Sequence, residues 1–417
     1  MTARAVALPA APLLPWALFG AMIAAAGLPI YIHAPKFYVD EYGVGLGALG
    51  AVLVALRLVD VVQDPALGWL AEAGRAARGR MVALAAVLMA GAMAGLFAVA
   101  PPVAPLAWFA LTLGILFTAF SFLTIVFYAE GVAKAATLGP DGHTRLAGWR
   151  ETGALAGISL AAVAPVALGS VMADPFAGFA LGFAALALAA TWAMRREWDG
   201  AAAPRPQLRL ALRHPLTRRL LLLALVNAAP VAVTSTLFLF FVESRLAAPG
   251  AEGPLLLVFF AAAALSAPLW SRAAARWGAK RALLAGMALS ILTFGFALTL
   301  GAGDVAAFAV ICAASGAALG ADMTLLPAIF ARHLDRTVPE AGPATAFGLW
   351  GFASKLSLAV AAATLLPLLE ARGFVPGGAN AAAALAMLGW LYAGVPCALK
   401  LVAMGLLAAT PLTEDPE

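Results

Sequence analysis

Twelve times along this sequence a run of mostly apolar residues, near 20 long or longer, ends in a short polar loop. The runs fall at roughly 14–35, 44–71, 81–100, 104–130, 146–170, 175–194, 219–242, 254–271, 281–301, 304–330, 343–369 and 380–409. About 20 apolar residues make a helix that crosses the hydrocarbon core of a bilayer. A helix also satisfies its own backbone there, where no water can. The pattern therefore predicts an all-α polytopic membrane protein with twelve transmembrane helices. Composition supports the same class. The chain is 64% hydrophobic and 11% charged, against about 25% charged in a soluble domain, and its mean hydropathy is +0.96.

The net charge of +5 does not point to nucleic acid, because the basic residues sit in short loops. Arg4, Arg75, Arg78, Arg80, Lys134, Arg145, Arg272, Arg276, Lys280, Arg281, Arg332 and Arg336 fall on one side of the expected membrane. Lys36, Arg245 and Arg372 fall on the other. Cytoplasmic loops carry the excess of Lys and Arg. Both termini are thus expected in the cytoplasm, with the chain in a bacterial-type inner (plasma) membrane. The two cysteines, Cys312 and Cys397, lie in apolar runs and read as small buried hydrophobes.

Residues 195–219 contain seven arginines and a Pro-rich patch. They read as a cytoplasmic linker between two six-helix halves, 1–194 and 220–417. The halves echo each other: Pro65-Ala-Leu-Gly-Trp69 and Pro268-Leu-Trp-Ser-Arg272 each follow the second run of their half and lead into basic loops. Two parallel six-helix repeats, related by pseudo-symmetry, are the layout of the major facilitator fold.

The most informative stretch is Arg57-Leu-Val-Asp60-Val-Val-Gln-Asp64-Pro65. Spacings of three and four put Arg57, Asp60 and Asp64 on one helix face. A charge at bilayer depth costs about 2.5–3.5 kcal/mol on insertion scales, so such residues mark function by default. Two carboxylates a turn apart repel, and both stay ionised only with a cation between them. Oxygen-rich sites suit hard cations. Asp60 and Asp64 are therefore the expected binding pair for Na⁺ or H⁺. Ser121 and Thr124 of the fourth run lie at similar depth to Asp64 and are candidate additional ligands.

Other polar residues at depth are candidates for substrate binding or coupling: Arg57, Arg150, Asn227, Asp322 and Lys355. Lys355 is about twelve residues into its run, too deep for easy snorkelling, and faces the half that carries Asp60 and Asp64. It is expected to pair with them when no cation is bound, with Asp322 as a second candidate partner. Glu151 is expected to point elsewhere on the helix than Arg150 and to be an interface or gate ion-pair partner, and Lys400 to be structural or to snorkel. Gly153-Ala-Leu-Ala-Gly157 has the spacing of close helix packing. His33 reads as a hydrogen-bonded helix residue, and Trp69, Trp108, Trp192 and Trp198 as interfacial anchors. No phosphate loop, His/Cys metal cluster, nucleophile elbow or dinucleotide glycine pattern is present in the sequence, so neither an enzyme nor a cofactor is expected.

The segment Leu28-Pro-Ile-Tyr-Ile-His-Ala-Pro-Lys-Phe-Tyr38, followed by Arg57-Leu-Val-Asp60 and Gln63-Asp64-Pro-Ala-Leu-Gly-Trp69, resembles the glycoside–pentoside–hexuronide:cation symporter family, the melibiose-permease-like branch of the major facilitator superfamily. Gly320-Ala-Asp322, Leu326-Pro327 and Phe347-Gly-Leu-Trp350 with Lys355 resemble that family's tenth and eleventh spans. The resemblance implies that Asp60 and Asp64 hold the coupling Na⁺, with Ser121 as a hydroxyl ligand. It also implies that Thr124 stands where sugar carriers have a substrate-gripping aspartate. The acid such carriers have in the first span is absent here too, since 17–34 contains none. The expectation is a monomeric secondary transporter, a cation (Na⁺ or H⁺)-coupled symporter of a small organic solute working by alternating access. Alternatives are a lipid or lysolipid carrier of the same fold, and a membrane sensor or assembly protein that does not transport.

Overall fold

The computed structural model describes residues 13–198, 212–337, 342–375, 378 and 380–412; among them are helices and turns but no strand. Most of the expected linker, 199–211, lies outside the described residues. The first half contains α1 (Leu14–Ala25), α2 (Leu28–Tyr42), α3 (Leu46–Ala73), α4 (Arg78–Phe97), α5 (Pro105–Ala136), α6 (Gly142–Leu168) and α7 (Pro175–Ala193). The second half contains α8 (Pro215–Phe240), α9 (Glu252–Trp277), α10 (Ala279–Gly295), α11 (Val305–Thr337), α12 (Pro343–Ala371), α13 (Ala382–Gly389) and α14 (Val395–Ala408). A π-helical turn, Trp390–Gly394, joins α13 to α14 into one long apolar rod.

Nine of the described helical segments are long and apolar enough to cross a membrane. The remaining expected spans fall short for identifiable reasons. The first is broken at Ala26–Gly27, ahead of a proline at the start of α2; proline suits a first helical turn and cannot continue a preceding helix. The helices α3 and α6 are long but carry the charges of Arg57, Asp60, Asp64, Arg150 and Glu151.

The pairing of helices repeats between halves. Helix α1 packs on α6 as α8 does on α12, α3 on α5 as α9 on α11, and α4 on both α5 and α7 as α10 on both α11 and α14. The halves meet where α3 and α5 face α12 and where α6 faces α9 and α11. In lipid, helix association relies on van der Waals fit, and small residues let backbones approach. A Cβ on Gly153 would lie 2.0 Å from the Ala17 carbonyl oxygen, and one on Gly157 would lie 2.3 Å from that of Ala21. The α9–α11 contact uses the same device, with Gly316 against the Phe259 carbonyl and Gly320 against Ser266.

Overpacking a tight contact costs about 1–3 kcal/mol or more. Gly153→Leu should therefore lower the midpoint of thermal unfolding in detergent markedly. Gly182→Leu, at a position with nothing within 4 Å, should leave it unchanged.

Candidate functional site

The site begins with a backbone crossing. A Cβ on Gly68 of α3 would meet the Ala344 carbonyl at 2.6 Å, and one on Gly348 of α12 would meet the Asp64 carbonyl at 2.6 Å. A Cβ on Gly351 would come within 2.3 Å of an Asp64 carboxylate oxygen. Bare glycines thus let α3 and α12 touch. Lys355 stands one turn beyond Gly351 on the same helix face, and the crossing delivers it onto the acidic face of α3.

There the ammonium fills all three of its donor positions. Lys355 Nζ donates to Asp60 Oδ1 at 2.7 Å, to Asp64 Oδ1 at 2.9 Å and to Ser121 Oγ at 2.6 Å. Ser121, accepting from the lysine, donates its own hydrogen bond to Asp60 Oδ1 at 3.0 Å. Gln63 donates to the same oxygen at 2.9 Å and accepts from Thr118 at 3.1 Å. Both carboxylates are buried, Asp60 4% and Asp64 2% exposed. Arg57 lies farther out, 3.9 Å from Asp60 Oδ2. The cation that two adjacent acids require is, in this conformation, the side chain of the opposite half. Gln63 and Thr118 were not singled out from sequence. Gln63 sits three residues from Asp60 on its helix, which is the spacing that betrays it.

Thr124 is not among the groups that meet Lys355: its hydroxyl donates to the Phe120 carbonyl, one turn back on α5, as hydroxyls in membrane helices often do. Arg150 is buried and lies elsewhere in the first half. Its guanidinium stacks on the Tyr128 ring at 3.7 Å and its Nε donates to Glu151 at 2.9 Å. Tyr128 donates to the same Glu151 oxygen at 2.7 Å. Glu151 is an ion-pair partner as expected, but its direction is corrected: it pairs with Arg150 itself, and the adjacent side chains converge on Tyr128. His33 meets the Ala162 carbonyl at 3.0 Å. Trp198, expected at an interface, is buried beside Phe19.

Asp322 does not meet Lys355. It pairs with Lys400 of α14 at 2.5 Å, and Lys400 also donates to Asn227 of α8 at 2.8 Å. Lys400 is 3% exposed, so of the two readings open to it, structural or snorkelling, the structural one holds. A carboxylate one helix away supplies its counter-charge inside the half. Among the described residues no group of three or more His, Cys, Asp or Glu is placed to hold a metal ion.

A family profile described as MFS/sugar transport protein matches residues 16–414. The chain belongs to that family. It is a transporter, a multi-pass membrane protein, and not an enzyme. No curated protein sequence matches the chain. Among solved structures it is similar to a bacterial homologue of the iron transporter ferroportin in an outward-facing state, with a TM-score of 0.70 at 13% identity, covering 95% of this chain and 99% of that one. The same homologue with soaked iron gives 0.67 at 14% identity, covering 95% and 98%. At such identity the likeness is one of fold.

In this transporter the halves are tied at the end that bears the loops after α3, α5, α9 and α11. Ser271 donates to the Thr144 carbonyl at 2.8 Å, Arg332 to the Pro140 carbonyl at 2.6 Å, and His143 lies 3.5 Å from Asp335. A buried ionic cluster backs these contacts: Arg78 pairs with Glu130 at 2.5 Å and lies 3.9 Å from Glu72, which Arg75 also approaches at 3.5 Å. Glu72 accepts the Ala344 amide of α12 across the seam at 3.2 Å. That amide is one of the first-turn donors a helix leaves unsatisfied, at the end where its dipole favours an anion. Sequence reading counted Arg75 and Arg78 only as loop charges. The acids Glu72 and Glu130, at the ends of apolar runs, were the available signal.

Losing a buried hydrogen bond costs about 1–3 kcal/mol. Glu72→Leu should therefore speed amide exchange in the first turn of α12, Pro343–Phe347, by about tenfold or more. Exchange at the wild-type rate would show that Glu72 does not hold the seam.

Proposed function

We propose that the chain is a cation-coupled symporter of a small organic solute that works by alternating access. Asp60, Asp64 and Ser121 form its cation site, and Lys355 competes with the cation for them. The observation that carries this reading is the Lys355 ammonium seated on three oxygens of the opposite half. An incoming Na⁺ or H⁺ that takes the carboxylates displaces that ammonium. The cross-half tie is then lost, and a charged lysine is left at membrane depth, where a bare charge is costly.

That cost supplies the coupling. In the empty carrier the two carboxylates are balanced by Lys355 and by Arg57, 3.9 Å from Asp60. The fully loaded carrier is neutralised by the cation at the aspartates and by solute at Lys355. The carrier with cation alone exposes an unpaired ammonium and resists the conformational change, so the ion does not leak. By linkage, the cation tightens solute binding by the factor that solute tightens cation binding. The solute accordingly has an acceptor group for Lys355. Arg57, on the same face and less buried, stays with Asp60. Thr124 could join the site only by giving up its bond to Phe120.

The basic loops argue for termini in the cytoplasm of a cell with a bacterial-type inner membrane. The tied end is then the cytoplasmic end, and the conformation described faces outward. The core closes within a single chain, which suits a monomer.

Asp60→Asn and Asp64→Asn should each abolish cation-driven uptake into proteoliposomes. Lys355→Met should keep cation binding, seen as thermal stabilisation by the coupling ion, while uptake no longer depends on the cation gradient. Normal gradient-driven uptake by both Asn variants would end this reading.

A further inference from the structure

A cavity of about 110 Å³ lies at the loop end, where the halves are tied. Three cations line it: Lys280 in the first turn of α10, and Arg332 and Arg336, about one turn apart near the end of α11. No acid lines it among the described residues. Asp335, between the two arginines in sequence, lies 3.5 Å from His143 and brings one negative charge nearby. Like charges gathered around one cavity repel one another and favour a counter-ion. The wall also includes Leu216 and Ala279, in the first turns of α8 and α10. There backbone N–H groups lack partners within their helix, and the helix dipole favours an anion.

Charge, donors and room narrow the occupant. Against the three cations Asp335 supplies one negative charge, so a dianion comes closest to balance. A guanidinium carries five N–H donors in a planar fork that fits phosphate oxygens, and the Pro140 carbonyl takes one donor of Arg332. Lys280 donates to the Ala408 and Thr410 carbonyls at 2.9 and 2.8 Å, which holds its amine in place. At roughly 10–15 Å³ per water by this measure, the cavity has room for about seven waters or more, enough for a phosphate group. We propose that this cavity binds a phosphate group, from inorganic phosphate or from the headgroup of an anionic phospholipid. His143 comes from the first half and the three cations from the second, so the bound anion adds to the tie between halves. It shifts the carrier toward the conformation closed at this end by as much as it binds that conformation better than the open one. This consequence rests on the alternating-access reading above; the binding itself does not.

The test uses purified full-length protein in potassium buffers of fixed ionic strength, so that no sodium enters. One arm measures equilibrium binding of radiolabelled inorganic phosphate. The other measures retention of phosphatidic acid from mixed micelles, with diacylglycerol as the lipid that lacks the phosphate. At least one phosphate-bearing probe should bind, and the arm that responds names the source. Lys280→Met/Arg336→Gln should weaken that binding by about tenfold or more, the loss expected when charged hydrogen-bond donors are removed. Arg272→Gln, at an exposed arginine that does not line the cavity, should leave it unchanged. Bound probe should also slow amide exchange in the first turn of α12, across the seam, by about threefold or more, and should not do so in the double variant. Acids at 340, 414 and 415 lie outside the described residues. Phosphate binding that appears only in Glu340→Gln/Glu414→Gln/Asp415→Asn would make the chain's own carboxylates the occupant and overturn the proposal. Binding by neither phosphate-bearing probe, or an equal loss in Arg272→Gln, would overturn it too. Unslowed exchange with probe bound would overturn the tie between halves. The binding readouts involve neither the coupling cation nor transport, so their failure would leave the cation-site reading standing.

Discussion

The fold is arranged around one electrostatic requirement: two carboxylates a turn apart at membrane depth need a positive charge between them. Isolated charges there are costly, and paired charges still need their remaining hydrogen bonds satisfied. Here the pairing is complete on the lysine side, with three N–H donors and three oxygen acceptors. The requirement reaches outward from there. It fixes α12 against α3, and the glycines at 68, 348 and 351 are what allow the approach. Under the proposed mechanism it also makes the contact between halves conditional, because an ion that satisfies the aspartates releases the lysine.

Conditional contact at mid-depth sits beside a more permanent seam at the loop end. There the partners are backbone groups and a buried network of Arg75, Arg78, Glu72 and Glu130. The two layers differ in what can displace them. In the proposed mechanism a small cation competes directly for Asp60 and Asp64. The loop-end network, already carrying acids and bases of its own, offers a cation little. A carrier needs both: a latch that an ion can open and a seam that follows the latch.

The architecture was legible in the sequence because membrane helices announce themselves by length and hydropathy, and the repeat of short basic loops orders them. The cluster of Asp60, Asp64, Ser121 and Lys355 was legible because charge is rare at that depth, leaving few partners for each group. The second cluster was only partly legible, for a related reason. Lys400 sits in the last, peripheral span, where a lysine usually reaches for the surface, and no sequence spacing links it to Asp322 and Asn227 on other helices. The hydrogen bond of Thr124 and the direction of Glu151 were not legible, because a hydroxyl can turn back to its own helix and because neighbours in sequence can converge on a third residue, here Tyr128. Neither outcome shows in a linear pattern.

The central claim is that Lys355 and the coupling cation exclude each other from the same oxygens. The direct measurement is the reactivity of the Lys355 amine toward an amine-selective reagent, relative to the protein's other lysines, over a grid of Na⁺ concentration and pH. An ammonium locked on Asp60, Asp64 and Ser121 reacts slowly, and a displaced one reacts fast. The account predicts that relative reactivity at Lys355 rises along the axis of the coupling ion, and that the rise is lost in Asp60→Asn/Asp64→Asn. Relative reactivity that stays flat along both axes would contradict it.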